Sequence, residues 1–208
     1  MLRRYSLAVL GLAALVASPV LRAEPLAADA FVRQISTDVI DAVKADKAIQ
    51  AGDVTRIRAL VDTKVMPHVN FPRMAASAVG PQWRSASAAQ RSELLEEFKT
   101  LMINTYAGAL TQVKDQTVVV KPLRGSADQP ELVVRTEVRS RAEPVQLDYR
   151  LEKSGDSWRI YDVNVGGFWL VEAYRGQFAK DLSAGGMDAL IAALQAKNKG
   201  LAASAPKS

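Results

Sequence analysis

The chain has 208 residues, 49% of them hydrophobic, which is enough for one domain with a substantial core. It has no cysteine, which excludes disulfides, lipid attachment at a cleavage-site cysteine, thiol chemistry and cysteine-ligated metals. The formal net charge of +5 overstates the basic character: Arg3, Arg4 and Arg22 supply three of those charges from a leader, and the remaining +2 gives nucleic-acid binding no basic footprint.

The leader comes first. Arg3-Arg4, an apolar run over 7–16 and Pro19 ahead of Leu21-Arg22-Ala23 read as a secretory signal peptide, residues 1–23, cleaved after Ala23. The apolar run is too short to span a bilayer. Residues 24–198 then form one domain, and the small, polar stretch 199–208 reads as a disordered tail.

Phe31, Ile35, Val39, Ile40 and Val43 recur at helical spacing, so 24–51 predicts a first helix, ended by Gly52. Asp53 caps a second over 54–65, with Ile57, Leu60 and Val61 on one face and Pro67 closing it. Pro72 opens a third, to about residue 79, and Gly80-Pro81 marks a turn. Ser87 and Gln90 have capping-box spacing. They open the longest helix, with Leu94, Leu95, Phe98, Leu101, Met102, Thr105, Tyr106, Ala109 and Leu110 along one wide stripe.

Four strands follow, over 117–124, 132–141, 145–153 and 158–165. In the second, Leu132, Val134, Thr136 and Val138 share a dry face; in the third, Val145, Leu147, Tyr149 and Leu151 do. The charges on the wet face select a register. Placing Arg139 opposite Asp148, Glu137 opposite Arg150 and Arg135 opposite Glu152 makes every charged pair unlike. After the Gly166-Gly167 break a helix runs to about residue 182, and past Gly185-Gly186 a last helix spans 187–197. The order predicts an α+β fold: a curved, four-stranded antiparallel sheet with helices packed on its dry face, as in the NTF2-like and cystatin-like cones.

Little of the chemistry of catalysis is present. His68 is the single histidine, so multi-histidine metal sites are excluded, and it reads as a loop or capping residue. Neither glycine pair sits in a phosphate-loop context. Asp162 and Tyr161 could serve a small-molecule enzyme of NTF2-like type; alternatively, Asp162 caps the turn near the glycine pair or accepts from buried backbone groups. Phe98, Leu101, Thr105 and Tyr106 on the long helix face Leu132, Val134, Val138, Leu147, Tyr149 and Leu151 on the sheet. Periodicity reads these as core, and a pocket wall has the same pattern. Phe168, Trp169 and Val171 lie just past the glycine break and cannot all point one way.

Several blocks together carry a resemblance. They are Val65-Met66-Pro67; Gly80-Pro81-Gln82-Trp83-Arg84-Ser85-Ala86-Ser87 with Gln90-Arg91; and Phe98 with Tyr106-Ala107. The remainder are Val145-Gln146-Leu147-Asp148-Tyr149, Trp158-Arg159-Ile160-Tyr161-Asp162-Val163, and Gly167-Phe168 with Arg175 and Phe178. In order and spacing the chain resembles the MlaC family, the periplasmic phospholipid-binding proteins of the Mla lipid-transport system, also called the toluene-tolerance or ABC-transporter auxiliary family. The resemblance implies a soluble, monomeric periplasmic carrier, not an enzyme, with diacyl phospholipid as cargo and no cofactor. It implies two partners, an outer-membrane lipoprotein–porin complex and an inner-membrane ABC transporter reached through its MCE-domain subunit, and a role in outer-membrane lipid asymmetry. The acyl tails would lie between sheet and helices, against the ten residues just named together with Val165, Phe168, Trp169 and Val171. Trp169 stands where the family often has serine.

Overall fold

The computed structural model describes residues 26–124, 129–141 and 143–204, so the leader and its cleavage site lie outside the described residues. Helices α1 (Ala28–Ala45), α2 (Lys47–Gln50), α3 (Val54–Leu60), α4 (Phe71–Val79), α5 (Gln82–Ser85) and α6 (Ala88–Thr111) come first. Strands β1 (Thr117–Val120), β2 (Glu131–Val134), β3 (Thr136–Arg139), β4 (Val145–Ser154), β5 (Ser157–Val165) and β6 (Phe168–Trp169) follow, and α7 (Leu170–Ser204) closes the chain. This is the expected α+β architecture with a curved antiparallel sheet.

The expected first helix is two. Asp46 adopts an extended backbone, ends α1, and caps α2 by accepting from the Ala48 and Ile49 amides at 2.9 and 3.3 Å. Asp53 caps α3 as anticipated, accepting from the Thr55 and Arg56 amides. The Ser87/Gln90 capping box at the start of α6 is complete in both directions. After α3, a wide turn over 61–65 and a tight one over 66–68 carry the chain to Val69, which bridges Ile160 of β5.

The sheet has six strands rather than four, in the order β1-β3-β4-β5-β6, with β2 pairing β4 beyond the end of β3. The expected strand over 132–141 is broken at Arg135. There the Thr136 amide donates to the Asp148 carboxylate at 3.1 Å, and the Thr136 hydroxyl bonds the Leu147 carbonyl. Asp148 is therefore buried at 3% exposure, not solvated opposite Arg139.

The hairpin register also differs from the one the charges select. Glu137 lies opposite Gln146 and Val138 opposite Val145, so the strand has slid past its partner without changing faces. Leu132 pairs with Leu151 and Val134 with Tyr149, while Glu131 and Glu152 sit directly opposite one another. That like-charge pair is tolerated because Arg73 of α4 bridges both carboxylates, at 2.7 Å to Glu131 and also bonding Glu152. Glu137 takes Lys121 and Arg139 as its partners instead. Dry-face packing and the Asp148 bond outweigh exposed cross-strand pairs, each worth only about 0.2–1 kcal/mol.

Gly185 and Gly186 break α7 into 170–184 and 187–204 as expected. The last helix runs past the expected boundary at residue 198 to Ser204, because Leu201 packs on the core and Asn198 donates to the Glu97 carbonyl and carboxylate at 2.9 and 2.7 Å.

Candidate functional site

The interior is divided into three apolar clusters. The first joins α4, α6 and α7 around Phe98, whose ring meets Phe71, Tyr174 and Phe178 at 5.4, 4.8 and 5.2 Å. The second packs Phe31, Val32 and Ile35 of α1 on Leu132, Val134, Leu151, Trp158 and Ile160. The third joins α1, α2, α3 and α6 around Val43, Ile49, Ile57 and Ile103. Helix α1 covers β1 and β2; α4 and the start of α7 cover β5. Between them the centre of the dry face forms a seam. Val69 and Val163 touch the first and second clusters, and Val39 the second and third. Leu147, Tyr149, Val163 and Val165 on its floor stay half-buried.

At one end of the sheet the dry face reaches solvent. Cross-strand partners share a face, so Val118, Val138 and Val145 form one apolar row and Leu147, Val165 and Phe168 another. Gly166 and Gly167 have φ of +59° and +95°, the left-handed pair that a tight two-residue hairpin requires, and they fold β6 back on β5. That turn carries Phe168 to the rim, where it is 74% exposed, near Val145 at 49%.

The MlaC protein family matches residues 33–196. The chain belongs to the MlaC family. Among relatives, the intermembrane phospholipid transport system binding protein MlaC of Haemophilus influenzae is 23% identical over 169 residues, covering 79% of each chain. The toluene tolerance protein ttg2D of Pseudomonas putida is 22% identical over 175 residues, covering 84% of this chain and 81% of that one. A phospholipid-binding protein from Ralstonia solanacearum, solved in complex with a phospholipid, is 41% identical, with a TM-score of 0.83 over 85% of this chain and 99% of that one.

Within this MlaC-family chain the expected site residues fall into four groups. Phe98, Leu101 and Val171 are sealed in the first cluster; Leu132, Val134 and Leu151 are sealed in the second. Val138, Leu147, Tyr149 and Val165 are half-buried on the sheet, whereas on α6 Thr105 is exposed and Tyr106, half-buried, packs on the first cluster. Phe168 stands at the rim. Trp169 is a correction: it pairs with Asn164 on the opposite face, under the Arg150 guanidinium 3.9 Å from its ring, and so points away from the seam. Sequence reasoning left out Val39, Val69 and Val163. Strand parity with Val165 could have found Val163. Val69 lies in a non-repeating turn and gives no signal.

Two tyrosine hydroxyls lie among the apolar side chains. Burial pushes the Tyr149 phenol pKa up. Burial pushes the Tyr174 phenol up to about 12. Asp162 and Tyr161 hold structure together. Asp162 accepts from the Val163 and Val171 amides at 2.9 and 3.0 Å and from Arg150 at 2.8 Å, so it ties the start of α7 to β5. Burial raises its pKa against those three bonds. The Tyr161 hydroxyl donates to Glu131 at 2.9 Å, and Arg73 lies 3.6 Å over its ring. His68 sits edge-on to Phe31 at 5.7 Å, a packing role.

Two shallow depressions lie elsewhere, lined by helical and loop residues. One of about 390 Å³ is bordered by Glu97, Gln195, Asn198 and Lys199; the other, of about 370 Å³, by Arg73, Ser77, Trp83 and Arg84. Among the described residues no helix is long and apolar enough to cross a membrane, and no acidic or histidine cluster could hold a metal ion.

Proposed function

We propose that this chain is a periplasmic phospholipid carrier of the Mla system. A diacyl phospholipid lies with its tails in the seam between sheet and helices and its head group at the rim. The monomeric carrier passes that cargo between an outer-membrane lipoprotein–porin complex and the MCE-domain subunit of an inner-membrane ABC transporter, in the service of outer-membrane lipid asymmetry. It is a binder rather than an enzyme and uses no cofactor. The observation that carries the reading is the apolar floor that leaves the half-buried seam and ends in solvent on Phe168. The phospholipid held by the Ralstonia relative supports the same ligand class.

The energetics suit a carrier. At about 0.8 kcal/mol per buried methylene, a tail of about fifteen methylenes represents roughly 12 kcal/mol, so free lipid leaves a bilayer slowly. A dry protein wall that replaces the bilayer makes transfer nearly isoenergetic, and the carrier itself then needs no nucleotide. The test is solvent extraction and mass spectrometry of protein purified gently from a cell envelope after export. One diacyl phospholipid per chain is expected; protein that arrives without lipid refutes the reading.

A further inference from the structure

Strand β6 is two residues long, and its two side chains lie on opposite faces of the sheet. Phe168 shares the dry-face row with Leu147 and Val165 and is 74% exposed. Trp169 shares the wet-face row with Asp148 and Asn164 and is half-buried. Its ring lies 3.9 Å from the Arg150 guanidinium. That guanidinium is itself fixed, at 2.8 Å from Asp162 of β5 and 3.6 Å from Glu172 in the first turn of α7. One charged plane from β4 thus reaches β5, β6 and α7.

The backbone on either side of β6 is tied down as well. The Gly166 amide donates to the Gln146 carbonyl at 3.0 Å, and the Gly167 amide to the Asn164 side chain at 2.9 Å. Beyond the strand the Val171 amide donates to Asp162, and Leu170 and Val171 are buried in the first cluster. Between these anchors Phe168 stands mostly in solvent and takes little support from its own ring. The side-chain fastening of β6 therefore comes from behind the sheet, through Trp169. The glycine pair, with its wide conformational freedom, is the point on which an unfastened β6 would swing.

We propose that Trp169 is a positioning residue for lipid exchange: its stack with Arg150 holds Phe168 as a fixed sill at the rim, and a tail passes when that stack opens. The inference rests on the carrier reading. Loss of a cation–π contact of this kind should speed release about two- to ten-fold. The seam lies on the other face, so the amount of lipid loaded should not change.

Protein loaded with a phosphatidylglycerol that bears a pyrene-labelled acyl chain is mixed with excess unlabelled phosphatidylglycerol vesicles carrying a quencher lipid. The decay of fluorescence gives the release rate. Trp169→Leu and Trp169→Ser remove the π face, with and without apolar bulk, and both should release about two- to ten-fold faster than wild type. Trp169→Tyr keeps a ring for Arg150 and should release at about the wild-type rate. All should carry the same amount of lipid before mixing. Release from Trp169→Leu or Trp169→Ser at the wild-type rate overturns this inference alone, and so does release from Trp169→Tyr as fast as from Trp169→Leu. A folded Trp169→Leu protein that cannot be loaded overturns it too, because the ring would then belong to the lipid site itself. Wild-type protein that takes up no labelled lipid overturns the carrier reading and this inference with it.

Discussion

Asp162→Ala is the sharpest test of how the last helix is anchored. The carboxylate is fully buried and accepts three hydrogen bonds, from Val163 and Val171 amides and from Arg150. Truncation leaves two buried amides without acceptors, at about 1–3 kcal/mol each. Arg150 suffers less, because it keeps the Trp169 ring beneath it and Glu172 at 3.6 Å. The expected loss is about 3–5 kcal/mol, a melting temperature roughly 10 °C lower for a chain of this size. Asp162→Asn keeps an acceptor for both amides and should cost less, about 1–2 kcal/mol, from an amide group facing Arg150. Urea unfolding followed by circular dichroism gives the order wild type, Asn, Ala. The charge also costs stability: the folded pKa is raised by burial, so Asp162 favours the folded state most at low pH, and that contribution fades as pH rises through the folded value. An Asp162→Ala protein within about 1 kcal/mol of wild type would refute the anchoring argument.

Phe168→Glu should leave stability within about 0.5 kcal/mol, since the ring is 74% exposed, yet strip lipid from the purified protein; lipid retained in that variant removes Phe168 from the mouth. Gly186→Ala should cost about 1–3 kcal/mol, measured as a shift in urea midpoint, because φ +65° with ψ −149° suits glycine alone; space is not the obstacle, since an added Cβ would meet Gln82 at an ordinary 3.6 Å. Arg73 beside Glu131, with the Tyr161 hydroxyl, holds that carboxyl below the usual glutamate range. Its folded pKa is depressed, so its contribution is present above the unfolded value of about 4.3 and is lost as pH falls through the folded one. Glu131→Gln should therefore lower stability at pH 7 and flatten the loss below about pH 4; an unchanged acid limb contradicts the pairing.

Element positions were legible in the sequence wherever one local signal decided them. The Ser87–Gln90 spacing and the Asp53 cap each fold as read, and the strand ends at Gly166-Gly167 as expected, although the pair turns the chain into β6 before the helix begins. Faces were legible too, because strand parity survives a slide of the register by an even number of residues. What failed were choices that a distant residue makes. The charge-based register could not include Arg73, which comes from α4 and neutralises Glu131 and Glu152 together. Nor could it include Asp148 turning inward to fill a strand break. For the site, the apolar stripe was visible, but which members are sealed and which stay open depends on where α1 and α7 part over β4.

That parting explains why a single continuous core would not serve. A core closed over the dry face would bury Leu147, Tyr149, Val163 and Val165 as fully as Val134 and Leu151, leaving no apolar surface for a ligand. The three clusters hold the fold separately: aromatic rings lock α4, α6 and α7, while α1 fastens to β2 and α3 to α6. Apolar area left half-covered forfeits about 25 cal/mol per Å², so every 100 Å² that a tail covers returns about 2.5 kcal/mol to the complex. The same surface therefore makes the empty protein less stable and the loaded one more so. In the proposed carrier, Phe168 extends that surface past the protein's edge, where a tail leaving a bilayer would first meet it.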